Sequence, residues 1–416
     1  MRSQTLIRAV AALIAASSSG GAQVADSASV PGSELTVYLM TMGQGDMVWE
    51  AYGHNAIGIR DNSTGRDIVY NWGLFAFEEG FIGKFLRGEL LYWMGGQDAA
   101  STLADYRASN RTVEVQELNL SPPQRIALRD FIQFNLKEEN KYYRYDYFRD
   151  NCSTRVRDAL NGVIGGALKT ATDSLMTGTS YRWHALRLMA EDRLAVVGID
   201  IGLGRPTDRE ISAWEEMFIP MKVRDRVREL RVPDETGALV PFVLSERTLY
   251  LAQRAPERSS PPLLVIPLGL IGLALGGGLF LLWRQGKRAA MPLAIGITVL
   301  LSVFGLVLLY LRFLTPHLAA YQNTNVFAYN PLWLVVLLAM AVGSRSMQGR
   351  RVVFWLATIV GALTAFGLIA PVLPGLRQGS FAVIALVAPA ALVAAWMFRE
   401  RAKPDASRVA PVTADA

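Results

Sequence analysis

Between Leu35 and Phe75 the chain runs in short apolar stretches broken by turn residues. LTVYLMTM (35–42), HNAIGIR (54–60) and RDIVYNWGLF (66–75) are rich in β-branched and aromatic residues, a pattern that predicts three strands. Asp61-Asn62-Ser63-Thr64-Gly65 predicts a hairpin turn between the second and third. Further along the apolar period lengthens to that of a helix. PPQRIALRDFIQFNLKEE (122–139) follows a capping Ser121 and carries Pro at its first position. After the aromatic stretch KYYRYDYFRD (141–150), CSTRVRDALNGVIGG (152–166) predicts a second helix, capped by Asp150 or Asn151 and ended by Gly165-Gly166. These elements give residues 33–256 the look of one α/β or α+β domain.

Beyond a linker at 257–262 the polar faces disappear. Five apolar segments follow, near Leu263–Trp283, Met291–Leu311, Val326–Val342, Val352–Val372 and Ser380–Phe398. Each approaches the length that crosses about 30 Å of hydrocarbon, and together they predict a transmembrane domain over 263–403 with a tail at 404–416. The third is interrupted near its start by Asn330-Pro331. At the other end, two arginines precede a short apolar run and small residues, which predicts a signal peptide over 1–25.

Composition agrees: 51% of the 416 residues are hydrophobic, and mean hydropathy is +0.23. The net charge of +6 is unevenly placed, since twelve Lys/Arg but only three Asp/Glu follow Pro261. A nucleic-acid binder carries its basic surface on a folded domain, so no nucleic-acid partner is expected. Arg284, Lys287 and Arg288, then Arg345, Arg350 and Arg351, then Arg399, Arg401 and Lys403 fall in alternate loops. The intervening loops hold only Arg312 and Arg377. Basic loops stay cytoplasmic, which sets the N-terminal domain outside an inner (cytoplasmic) membrane, in the periplasm.

A single cysteine, Cys152, excludes an internal disulfide and a multi-cysteine metal site. The three histidines are His54, His184 and His317, and neither a metal nor a cofactor is expected. Cys152 opens a predicted helix in the polar stretch RDNCSTR, where the helix dipole, with Arg149 and Arg155 nearby, favours a thiolate. His54, at a strand start, supplies a base for such a nucleophile. Chain spacing alone does not pair them. Asn71, on the next strand, is the first choice for a residue orienting His54, with Asp46 and Glu50 as weaker ones. FIGKFLRGELLYWM (81–94) reads either as a membrane-interface segment or as ordinary core, and His184 reads as a packing residue. GLGRP near Gly202 lacks the glycine spacing of a nucleotide loop.

GQGDMVWEAYGHNAIGI, VYNWGLFAFEEGFIGKFLRGELLYWM and YRYDYFRDNCSTRVRDAL together resemble the N-terminal periplasmic domain of the Lnb family of lipoprotein N-acyltransferases, formerly a domain of unknown function. The resemblance covers about Leu35 to Leu160 well and the membrane part loosely. It implies a circularly permuted papain-like (NlpC/P60-like) cysteine domain of α+β class, followed by an all-α bundle of about five transmembrane helices. It further implies that Cys152, with His54, takes an acyl chain from a phospholipid donor and passes it to the amine of a lipoprotein acceptor. The outer loop RFLTPHLAAYQNTNVFAYNPLW resembles its family counterpart, which makes His317, Asn323 and Asn325 candidate substrate-binding residues. A cysteine hydrolase of cell-wall peptides or lipid esters, or an inactive membrane scaffold, remains compatible with the same residues.

Overall fold

The computed structural model describes residues 30–76, 79–89, 91–343 and 345–403, so the expected signal peptide and the tail lie outside the described residues. The predicted strands form as β1 (Leu35–Met42), β2 (His54–Asp61) and β3 (Asp67–Leu74), paired antiparallel in sequence order. Asp61 turns the hairpin by accepting the backbone N–H groups of Ser63 and Thr64 at 2.9 and 3.3 Å. Then come α1 (Phe81–Arg87), β4 (Leu91–Asp98), α2 (Ala99–Ala108), β5 (Val113–Leu118), α3 (Pro122–Leu136), β6 (Tyr142–Arg144) and α4 (Cys152–Val163). Two small strand pairs, β7 (Met176–Ser180) with β8 (Glu210–Ser212) and β9 (Arg231–Pro233) with β10 (Leu239–Pro241), flank the main sheet. The last strand, β11 (Val243–Tyr250), returns to its edge, giving the order β11-β5-β1-β2-β3-β4-β6.

Both faces of this sheet are covered. Val37, Leu39, Ile57 and Trp72 point to one side, against Leu128 and Ile132 of α3 and Val156 and Leu160 of α4. Tyr38, Met40, Ala56 and Val69 point to the other, against Leu103 and Tyr106 of α2. That double burial explains why β1 reads as a near-continuous apolar run rather than an alternation. The sheet with segregated helices makes an α+β domain.

Three further helices, α5 (Tyr181–Leu188), α6 (Arg193–Gly202) and α7 (Pro220–Glu229), lead towards the membrane part. There α8 (Val265–Arg284), α9 (Ala290–Phe313), α11 (Met347–Ile369) and α12 (Phe381–Ala402) are long and apolar enough to cross a bilayer. The expected third span is a correction: α10 covers only Trp333–Gly343, 11 residues. At 1.5 Å per residue that is about half the hydrocarbon thickness. Before α10, Thr324–Phe327 forms a short 3-10 turn, Asn323 and Asn325 bind the N-terminal domain, and Pro331 cannot donate to a preceding turn.

This binding is a polar junction at the end of α6. The Asn325 amide donates to the carbonyls of Asp200 and Ile201 at 3.1 and 2.9 Å, and the Asn323 amide to those of Ile201 and Gly202 at 2.8 and 3.0 Å. They satisfy carbonyls that a helix end otherwise leaves unpaired. Gln378 and Ser380, from the next outer loop, close the network through Asn323 Oδ1 (3.0 Å) and Asn325 Oδ1 (2.7 Å). Arg182 lies beneath it, 2% exposed, held by Asp200 at 2.7 Å and Asp208 at 2.8 Å. Asp208 also accepts the Gly379 N–H at 2.9 Å. Gly204 is required by contact: its N–H donates to Ala319 O at 2.7 Å, and a Cβ there would stand 2.0 Å from Tyr321 O. The GLGRP segment is thus a docking turn.

Candidate active site

The start of α4 is fixed by its own cap. Asn151, not Asp150, accepts the Thr154 N–H at 2.9 Å, and Thr154 Oγ1 accepts the Asn151 N–H at 2.8 Å. The Asn151 amide then donates to Tyr147 O and Phe218 O at 2.8 and 2.9 Å. Ser153 ties the helix to the sheet by donating to Asn55 Oδ1 at 2.7 Å, while the Asn55 amide donates to Thr41 Oγ1 at 2.8 Å. This buried chain sets Cys152 against the first residues of β2.

His54 and Asn71 meet across the sheet. β2 and β3 pair with Ala56 opposite Asn71, and His54 Nε2 lies 3.0 Å from Asn71 Oδ1. The Asn71 amide nitrogen donates to Val69 O at 3.3 Å, which turns its oxygen towards the imidazole. Nε2 therefore carries the proton, and the lone pair is on Nδ1. The weaker alternatives are engaged elsewhere: Asp46 with Arg254 at 2.8 Å and Glu50 with Arg111 at 3.4 Å.

Burial first, and then the Arg111 guanidinium, push the His54 pKa down to about 4, against the raising effect of Asn71. Burial also pushes the Cys152 thiol up, although the Asn55 and Ser153 N–H groups, Tyr145 and Arg111 each pull it down. This desolvation works against the thiolate that the helix start favours. Burial thus opposes charge on both Cys152 and His54, which line the same cavity. Arg155 is committed to Asp150 at 2.6 Å, and Arg149 lines a separate cavity with Arg157 and Tyr181. Arg111 is the cation felt by the sulfur.

A pH dependence follows. The kcat/KM for Cys152 acylation should stay level from pH 8 down to about 5 and fall with an apparent pKa near 4. Stopped-flow acylation across that range checks it, and an acid limb near the ordinary imidazole value would contradict it. The same shift makes stability linked to His54 complete above pH 6.5 and progressively lost as pH falls towards 4.

Cys152, His54, Asn71 and Tyr145 line one cavity of about 750 Å³. Its walls are largely apolar, with Trp49, Phe75, Tyr92, Phe148, Met189 and Phe218 among them. Leu311, at the outer end of α9, and His317, Ala319 and Ala320 of the following loop complete it from the membrane side. His317 stacks on Tyr147, with ring centroids 6.3 Å apart and planes 20° apart. Leu86 of α1 joins this rim, and Gly88 packs on Pro316, so the 81–94 segment sits where the two parts meet.

Asn323 and Asn325 do not line this cavity; their amides are engaged at the α6 junction. His184 is a packing residue, 1% exposed, with Nε2 at 2.9 Å from Thr179 Oγ1 and Nδ1 accepting from Arg187 at 2.9 Å. Among the described residues no cluster of His, Cys, Asp and Glu is arranged to hold a metal ion. Sequence reasoning missed Tyr145 and Arg111. The spacing of Tyr143, Tyr145 and Tyr147, every second residue before Cys152, was the available signal for the first.

Residues 23–191 match the family described as the Lnb N-terminal periplasmic domain. Residues 259–402 match the Lnb transmembrane domain. No significant match was found among curated proteins or solved structures.

Proposed function

The chain belongs to the Lnb family, as a multi-pass membrane protein with a periplasmic domain, and from that premise we propose that it is a thiol acyltransferase of the inner membrane. It moves a fatty acyl chain from a phospholipid, through a Cys152 thioester, to the N-terminal amine of a lipoprotein. The observation that carries this reading is the shared cavity. The Cys152–His54–Asn71 group opens into an apolar space, one wall of which comes from the outer end of α9 and its loop. A lipid ester fits such a wall better than a cell-wall peptide does.

In the first half-reaction the thiol proton passes to His54 Nδ1 as sulfur attacks the ester carbonyl. The carbonyl carbon–glycerol oxygen bond breaks, and that oxygen leaves with the His54 proton as a lysophospholipid. Asn71 keeps the imidazole oriented and its Nε2 proton in place throughout. In the second half the acceptor amine attacks the thioester and loses a proton to His54. The carbon–sulfur bond breaks, an amide forms, and the thiol regains its proton. The dry walls keep water from the thioester.

The test is the purified full chain in phospholipid vesicles with a diacylated lipoprotein. Mass spectrometry should find an amide-linked third chain and a stoichiometric lysophospholipid. Free fatty acid without the amide would identify a hydrolase instead.

A further inference from the structure

Arg111 lines the reaction cavity with Cys152 and His54 and is 5% exposed. A guanidinium keeps its charge in proteins, and burying one is costly unless its donors are used. Among the described residues its one hydrogen bond runs from Nε to Gly43 O at 2.9 Å. Nη1 lies 3.4 Å from Glu50 Oε1, beyond the usual N–H···O length. Asp105, the other carboxylate lining the cavity, accepts from the Gln97 amide at 2.8 Å. The Arg111 fork thus has donors to spare for a group that enters. Its charge also weakens His54 as a base, so its place beside the site calls for a use of its own.

Sheet register sets Arg111 on the His54 side of the nucleophile. Val113 of β5 pairs with Met42 of β1, and Met42 with His54, so the chain just ahead of Val113 emerges at the His54 end of the sheet. Directly opposed residues share a face, which puts His54 with Met42 in the cluster that Tyr106 of α2 packs against. The Arg111 guanidinium lies 4.7 Å from the Tyr106 ring centroid, on that same face. Cys152 comes instead from α4, whose Val156 and Leu160 pack on the opposite face. The reaction has a matching direction. The oxygen that takes the His54 proton belongs to the leaving glycerol, so the headgroup lies on the His54 side of the sulfur and the acyl chain on the other.

We propose that Arg111 selects the acyl donor by binding the phosphate of the phospholipid while Cys152 attacks its ester, an inference that rests on the acyl-transfer reading. The glycerol carbons carry the chain from the ester oxygen, beside His54, to the phosphate beyond it. There the fork of the guanidinium meets two phosphate oxygens in charge-assisted hydrogen bonds. No bond to phosphorus forms or breaks, and the phosphate departs with the lysophospholipid. A diacylglycerol offers the same esters but leaves the buried guanidinium unpaired.

The full chain in dodecyl maltoside micelles is given dipalmitoyl phosphatidylglycerol or dipalmitoylglycerol, and the Cys152 thioester is followed by intact-mass spectrometry. Wild type should form it about 100-fold faster from the phospholipid. Arg111→Gln should bring the two donors within about threefold of each other. Arg111→Lys, which keeps a cation beside Glu50 but loses the fork, guards against loss of fold and should retain a preference of about tenfold. Equal use of both lipids by wild type, or the full preference surviving in either variant, would overturn the assignment while leaving acyl transfer by Cys152 intact. A wild-type chain that forms no thioester from either lipid would overturn the acyl-transfer reading and this inference with it.

Discussion

Cys152→Ala should lower acyl transfer by about a millionfold, the scale on which removal of a catalytic nucleophile acts. The change deletes one sulfur atom from the start of α4 and nothing that holds the helix. The Asn151–Thr154 cap, the Ser153–Asn55–Thr41 chain and the Arg155–Asp150 pair are untouched. The variant should therefore insert and accumulate normally, with its tyrosines still around the cavity. Cys152→Ser keeps a hydroxyl there but raises the pKa of the attacking group far beyond that of a thiol. His54, with a pKa near 4, is a poor base for it, so the serine form should be almost as inactive. The measurement is transfer of radiolabelled acyl chains from vesicle phospholipid, with hydroxylamine release to reveal a thioester. Transfer by Cys152→Ala at even a few per cent of wild type would show that the chemistry lies elsewhere.

The second large effect is on stability. Arg182→Ala should cost about 3–5 kcal/mol, because it strands Asp200 and Asp208 without their shared cation. It also removes the donors to the Asp200 and Leu203 carbonyls at 3.0 and 2.6 Å. Asp200 is 1% exposed and its carboxyl is raised by burial, so the stranded charge is the dominant loss. Adding Asp200→Asn should restore part of the stability, since it neutralises one of the two carboxylates. Denaturant unfolding of the detergent-solubilised chain reads both variants. A single-variant cost below about 1 kcal/mol would mean that the pair is solvated.

The strands around the site were legible because each is short, strongly apolar and bounded by turn residues, as in Asp61–Gly65. The start of α4 was legible because Asn151 and Thr154 form a local cap, readable over four residues. Asn71 was reachable because antiparallel pairing brings the middle of one strand beside the beginning of its neighbour. The burial of Cys152 was not legible. A helix start favours thiolate, but the burial of the sulfur depends on a cavity whose lining comes from many segments, from Trp49 to Phe218 and His317. The roles of Asn323 and Asn325 were also hidden, because the α6 carbonyls they satisfy lie more than a hundred residues earlier. The start of α10 was hidden too, since hydropathy alone reads a full span where the helix begins only at Trp333.

The cavity wall formed by Leu311, His317, Ala319 and Ala320 lies far downstream of Cys152 in the chain. A ribosome makes His54, Asn71 and Cys152 first, and the loop that completes their enclosure only after α9 has been synthesised. The nascent domain thus holds these three side chains before the wall that completes their cavity exists. Completion of the cavity is tied by chain order to membrane insertion, and a chain whose second membrane helix fails to integrate is left with an open, unfinished cavity.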